Sequence, residues 1–162
     1  MSTSKKEYYI VKEFPSKGIL GGDTEVHFET LMRERGNEVD KSSIEEDKFL
    51  HIDYWVNGVG VDVKGNRTSE SIWLELVNVR GFDGWLKGEA EYIAMDMVDL
   101  KCFYFFLRED LLNFVIDNVK GETTRNSDFL MFYNRSLWGN KDKIAKCKLS
   151  HIEHLVKQKI CY

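Results

Sequence analysis

An Asn-Gly pair at positions 57 and 58, set between Phe49-Leu-His-Ile-Asp-Tyr-Trp-Val and Val59-Gly-Val-Asp-Val-Lys-Gly, constrains this chain more than any other feature. A type I′ turn needs positive φ at both central residues, which Asn-Gly supplies, so the two runs are the arms of a β-hairpin. A two-residue loop fixes the register: Val56 lies opposite Val59, Tyr54 opposite Val61, and Asp53 opposite Asp62. Alternation then places Ile52, Tyr54, Val56, Val59, Val61 and Val63 on one apolar face, and His51, Asp53, Trp55, Asp62 and Lys64 on the other.

Two carboxylates directly across a strand pair have Cβ atoms about 4.5–5.5 Å apart, and like charges there destabilise the sheet. A hard divalent cation offsets that repulsion. Mg²⁺ is held by one or two carboxylates plus substrate phosphate oxygens, and Lys64, two residues beyond Asp62, can orient a water or stabilise developing negative charge. The residue types and their spacing therefore point to phosphodiester hydrolysis.

The surrounding sequence supplies helices and further strands. Phe28, Leu31 and Met32 recur at helical spacing up to Gly36, with Asp23 or Thr24 as the expected N-cap, and Glu25 lies along the apolar stripe of this helix. Residues 1–20 read as a polar N-terminal arm, and residues 37–48 as a short strand and a loop. Ser71 to Val79, Tyr92-Ile-Ala-Met and Cys102 to Leu107 read as strands, so the middle of the chain is expected to be a sheet. Residues 109–120 read as a helix with acids in the first turn and Gly121 past its end. Ser150-His-Ile-Glu has the form of a capping box ahead of Ile152, Leu155, Val156 and Ile160, which predicts a closing amphipathic helix. The expected fold class is α/β (α+β), a central mixed β-sheet flanked by helices, in a single domain with its core at 22–97 and C-terminal strands and helices at 98–162.

Asp53, the hairpin, and then Asp62-Val63-Lys64 resemble the D…(D/E)-x-K signature of the PD-(D/E)XK nucleases, which have the restriction-endonuclease-like fold. The resemblance implies that Asp53 and Asp62 ligate Mg²⁺ (or Mn²⁺), that Val63 contributes its backbone carbonyl, and that Lys64 assists the attacking water. Several members, Holliday-junction resolvases among them, carry a site-facing glutamate on the first helix, for which Glu25 is the match and Glu29 the second choice. The resemblance covers roughly residues 22–97. The stretch from Gly84 to Gly88, with Glu-Tyr-Ile-Ala, is similar to phage-encoded nuclease-like proteins. The chain departs from the pattern in having Ile52 where the family has proline, and in using Asp at the second acid.

Net charge is −4, so the whole chain is not an electrostatic binder of nucleic acid, and any basic patch must be local. Residues 141–159 hold six lysines against two acids. Lys141, Lys143, Lys146 and Lys148, with Arg125 and Arg135 upstream, are the candidate contacts to a phosphate backbone, against the alternative of a solvated helix face. Glu75 either faces the acids or bonds nearby backbone. Trp55 and Trp73 read as packing residues, and His151 with His154 lacks the further ligands of a zinc site. Three scattered cysteines form no disulfide framework, which suggests a reducing compartment, and no apolar run is long enough to span a membrane. These readings lead to a cytoplasmic enzyme (host cytoplasm if phage-encoded) acting on DNA or RNA, as a homodimer where duplex DNA is cut. The rival reading is a catalytically inactive nuclease-fold protein that binds nucleic acid or inhibits another factor.

Overall fold

The computed structural model describes residues 21–162; the expected N-terminal arm lies outside them. Helix α1 (Gly21–Glu34) is followed by strands β1 (Val39–Lys41), β2 (Tyr54–Val56) and β3 (Val59–Arg67). Next come β4 (Ile72–Val77), β5 (Tyr92–Met97), β6 (Cys102–Leu107) and helix α2 (Arg108–Asn118). The remainder comprises β7 (Glu122–Thr123), β8 (Phe132–Tyr133), β9 (Lys143–Cys147), the one-turn α3 (Leu149–Ile152) and β10 (Val156–Cys161). The chain is thus of mixed α/β class.

The strands form two sheets, where one was expected. The first has the order β1-β2-β3-β5-β6-β10 and the second β4-β9-β8-β7. In the first, β3 and β5 run parallel while every other pair is antiparallel. Helix α1 lays Phe28, Leu31 and Met32 over one face, against Val61, Val63, Phe103 and Phe105. The opposite face, with Ile93, Met95, Tyr104 and Phe106, is covered by Ile72 and Leu74 of β4, Ala145 and Cys147 of β9, and Leu111 and Phe114 of α2. A strand buried on both sides reads as a continuous apolar run, which is why Cys102 to Leu107 shows no polar alternation.

The C-terminal segment departs from expectation. Ser150 does not cap a long helix; the helical turn starts from Lys148, whose amide donates to His151 Nδ1 at 3.0 Å. From Val156 the chain becomes a strand paired with β6. Val156 and Ile160 also fit a strand, and the edge of β6 offers a row of backbone partners that outweighs helix propensity. Cys161 thereby comes opposite Cys102, and the two form a disulfide that the scattered cysteine spacing gave no sign of. At the other end, Asp23 and Thr24 lie inside α1 and do not cap it. Thr24 instead packs on β3 at Gly65, where a Cβ would sit 2.5 Å from the threonine Oγ1. Glycine sets how closely α1 approaches the sheet.

Candidate active site

The hairpin forms as its turn residues dictate. Asn57 and Gly58 have φ of 50° and 80°, and the register is Val56 to Val59, Trp55 to Gly60 and Tyr54 to Val61. Asn57 is further held ahead of β1: its amide donates to the Glu38 carbonyl, its Oδ1 accepts from the Glu38 amide, and its Nδ2 donates to Asn37 Oδ1.

The ladder breaks just before Tyr54, and the break forms the site. A short π-turn, Glu46–Leu50, ends in His51 with φ 53°, a left-handed conformation that redirects the chain. Ile52 then tucks beneath Gly60, where a Cβ would meet its Cδ1 at 3.2 Å. It therefore joins the core on the second-sheet side and leaves the apolar face it shared in the idealised hairpin. With the regular ladder over, the Val63 amide donates to Asp53 Oδ2 at 2.7 Å. A strand residue presents its N–H and C=O to the same edge, so the Val63 carbonyl also points to the Asp53 side.

Asp53 and Asp62 do meet. Their carboxyls lie within hydrogen-bonding reach of one another. They are not on a solvated face, however: Asp62 is 1% exposed and Asp53 7%. Burial, then the neighbouring Asp62 charge, pushes the Asp53 carboxyl up to about 7. Burial likewise raises Asp62, opposed by Lys64. The Lys64 ammonium sits 2.7 Å from Asp62 Oδ1 and lies over the Trp85 ring, 5.3 Å from its centroid. Asp62 Oδ2 is buried and has no protein donor among the described residues. A buried carboxylate oxygen in that condition is costly unless a proton or a cation satisfies it.

Glu25, on α1, lies within the electrostatic field of the same cluster. Its carboxyl is raised by burial and then by the charges of Asp53 and Asp47, with Lys41 and Lys64 opposing. Glu29, one turn later, is engaged elsewhere: Arg33 donates to its Oε1 at 3.0 and 3.1 Å. Among the described residues, no three His, Cys, Asp or Glu side chains are grouped closely enough to hold a metal ion as they stand.

Two neighbours went unrecognised in the sequence. Asp47, on the π-turn, adds a charge felt by both Glu25 and Asp62. Arg67, half-buried at the end of β3, interacts with Asp62 and Glu75, and desolvation lowers its pKa. It reaches the acids although its sequence parity is wrong, because the strand register shifts between Lys64 and Arg67, where Asn66 has φ 54°. The Gly65-Asn66 pair inside an otherwise regular strand is the signal of such a bulge. Glu75, like Asp62, interacts with Arg67, and its side chain packs over Gly84.

The basic residues form no helical patch. Lys143 and Lys146 lie on β9 of the second sheet, with Lys141 just before that strand and Lys148 just after it, whereas Lys157 and Lys159 lie on β10 of the first sheet. Arg135 pairs with Asp142, and Arg125 with Asp128 at 3.1 Å. Lys148 pairs with Glu70 at 3.1 Å, and Lys146 covers the Trp73 and Phe129 rings. Trp73 also stacks near Tyr133, so it faces outward from the second sheet. The candidate phosphate contacts therefore sit on a separate sheet from the acids, and several are already neutralised. No helix among the described residues is long and apolar enough to cross a membrane. No protein-family model matches the chain, and no curated protein and no solved structure matches it either.

Proposed function

We propose that this protein is a metal-dependent nuclease that hydrolyses phosphodiester bonds in DNA, built on a restriction-endonuclease-like core. One observation carries the reading: two buried aspartates lie with their carboxyls within hydrogen-bonding reach of one another, and a lysine ammonium sits 2.7 Å from one of them. Asp53, Asp62 and the Val63 carbonyl would hold Mg²⁺ or Mn²⁺, with Glu25 supporting the ion or its water shell. These are the hard oxygen donors that such ions prefer. When bound, the ion lowers the pKa of a water and offsets charge on the phosphoryl oxygens.

The remaining chemistry belongs to the chain. Burial and mutual repulsion favour a proton on the aspartate pair, and a cation would have to displace that proton for Asp53 and Asp62 to hold it. Lys64 is held by Asp62 and Trp85 at the end of the pair, where its ammonium can orient the attacking water or face the developing negative charge. Glu25 on the first helix favours branched DNA as the substrate form. The rival reading, a binding or inhibitory protein without catalysis, draws on the same ion pair, since Lys64 already occupies Asp62 Oδ1.

A cleavage panel separates the two. Plasmid, branched DNA and RNA are incubated with Mg²⁺, Mn²⁺ or EDTA and with wild type, Asp62→Ala or Lys64→Ala. Cleavage that needs metal and is lost in both variants supports the nuclease. Cleavage unaffected by both changes, or none on any substrate, contradicts it.

A further inference from the structure

Beside the acid cluster lies a cleft of about 570 Å³ that the proposed chemistry does not use. Phe49 and Phe82 line it, 68% and 67% exposed, together with Lys48, His51, Arg80 and Lys87. Asp83 is the one acid among its lining residues and already faces Lys87 at 3.5 Å. The cleft and the acids share a wall. The same π-turn carries Asp47 toward Glu25 and Asp62 and presents Lys48 and Phe49 to the cleft. On the opposing side, Gly88 brings the Trp85–Lys87 turn against Leu50 and His51, with Trp85 beneath Lys64 and Lys87 in the cleft.

Two phenyl rings held in water need a reason, because each loses the free energy that burial would supply. Phe82 is not exposed through slackness. Asn78 Oδ1 accepts from the Arg80 and Phe82 amides at 3.0 and 3.1 Å, and the Asn78 amide donates to the Phe82 carbonyl at 2.8 Å. The loop fixes the backbone from which the ring projects. Flat aromatic faces set among cations are what an unpaired nucleic-acid strand requires: the cations follow the phosphates and the rings stack on bases. A duplex keeps its base faces covered and would leave both rings unused.

We propose that this cleft binds a single-stranded nucleic acid, with bases stacked on Phe49 and Phe82 and the backbone held by Lys48 and Arg80, and feeds it to the neighbouring acids. The proposal rests on reading those acids as a phosphodiester site, which is what identifies the occupant. It makes a single-stranded segment the preferred substrate class, whether a free strand or the unpaired part of a branched one.

The test is fluorescence anisotropy with the full chain in EDTA, so that binding is read without cleavage. The probes are labelled 15-nucleotide oligo-dT, oligo-rU of the same length, and a duplex of equal length. Tighter binding of the single strands than of the duplex is expected, with the two single strands reporting any choice between DNA and RNA. Phe49→Ala and Phe82→Ala should each weaken oligo-dT binding about tenfold, the size of one base–aromatic stack. Trp138→Ala, removing an aromatic that is 83% exposed but does not line the cleft, should leave it unchanged. Lys48→Ala should lower the slope of log affinity against log salt by about 0.7. Equal affinity for duplex, no binding of any probe, or indifference to both phenylalanine changes overturns the proposal. Ring-dependent binding with no cleavage in Mg²⁺ keeps the cleft and removes the nuclease reading instead.

Discussion

The first sheet buries aspartates in two places, and they are treated differently. Asp96, on β5, is fully buried with no second carboxyl against it: the Tyr162 hydroxyl donates to its Oδ1 at 2.7 Å, its Oδ2, like that of Asp62, has no partner among the described residues, and burial raises its pKa against the Tyr162 bond. Asp53 and Asp62 are buried side by side, with a backbone amide on one and an ammonium on the other. A lone buried carboxyl settles its charge by keeping a proton, and one hydroxyl is enough to fix its orientation. A pair cannot be settled so simply. It brings two carboxyls that repel one another against a single lysine, a combination that an incoming cation would improve. On the proposed function, Asp96 supports the fold and the pair receives the ion.

The comparison breaks most sharply in cleavage. Asp62→Ala should reduce the rate to background, and Lys64→Ala should lower it about 10²–10⁴-fold, the usual range for a positioned proton-transfer group. Asp96→Asn should leave the rate near that of wild type. If Asp96→Asn abolishes cleavage in a protein that remains folded, the two places are not functionally distinct.

Stability against pH sharpens it next. A carboxyl whose folded pKa lies above its unfolded value binds its proton more tightly in the folded state. Its contribution is then complete below about pH 4, the unfolded value. It is lost as pH rises through about 7 for Asp53. Urea denaturation of the metal-free protein should therefore show stability falling over that window. Asp53→Asn should flatten the fall, and a saturating concentration of Mn²⁺ should restore stability at pH 8 more than at pH 6.

Smaller effects concern placement. Gly65→Ala should push Thr24 and α1 away from β3 at a cost of about 1–3 kcal/mol, and should weaken cleavage by displacing Glu25. Asp96→Asn should cost about 1 kcal/mol, since a hydrogen bond to Tyr162 is changed and no charge is left unpaired. Chemical denaturation measures both.

The hairpin was legible because its determinants are local: Asn57-Gly58 sets the turn, and the turn sets which residues oppose. The apolar spacing of α1 and the acids and trailing glycine of α2 were legible for the same reason. What escaped depends on distant partners. Residues 149–161 carry apolar positions that suit either a helix or a strand, and only the open edge of β6 decides between them. That pairing also creates the Cys102–Cys161 bond across a separation of 59 residues. Within the site, the meeting of Asp53 and Asp62 was readable, but its burial was not, because partners such as Trp85, which lies against Lys64, come from a part of the chain that local pattern could not place. Asp47 and Arg67 arrive through a π-turn and a bulge, irregularities that shift side chains off simple periodicity.

Calorimetric titration of Mn²⁺ at pH 6.5, run in two buffers of different ionisation enthalpy, tests the central claim most directly. One site that releases a proton on binding, disappears in Asp53→Asn and persists in Asp96→Asn is the expected result. Binding that ignores Asp53→Asn, or none at millimolar Mn²⁺, would contradict the claim that the aspartate pair exists to receive a cation.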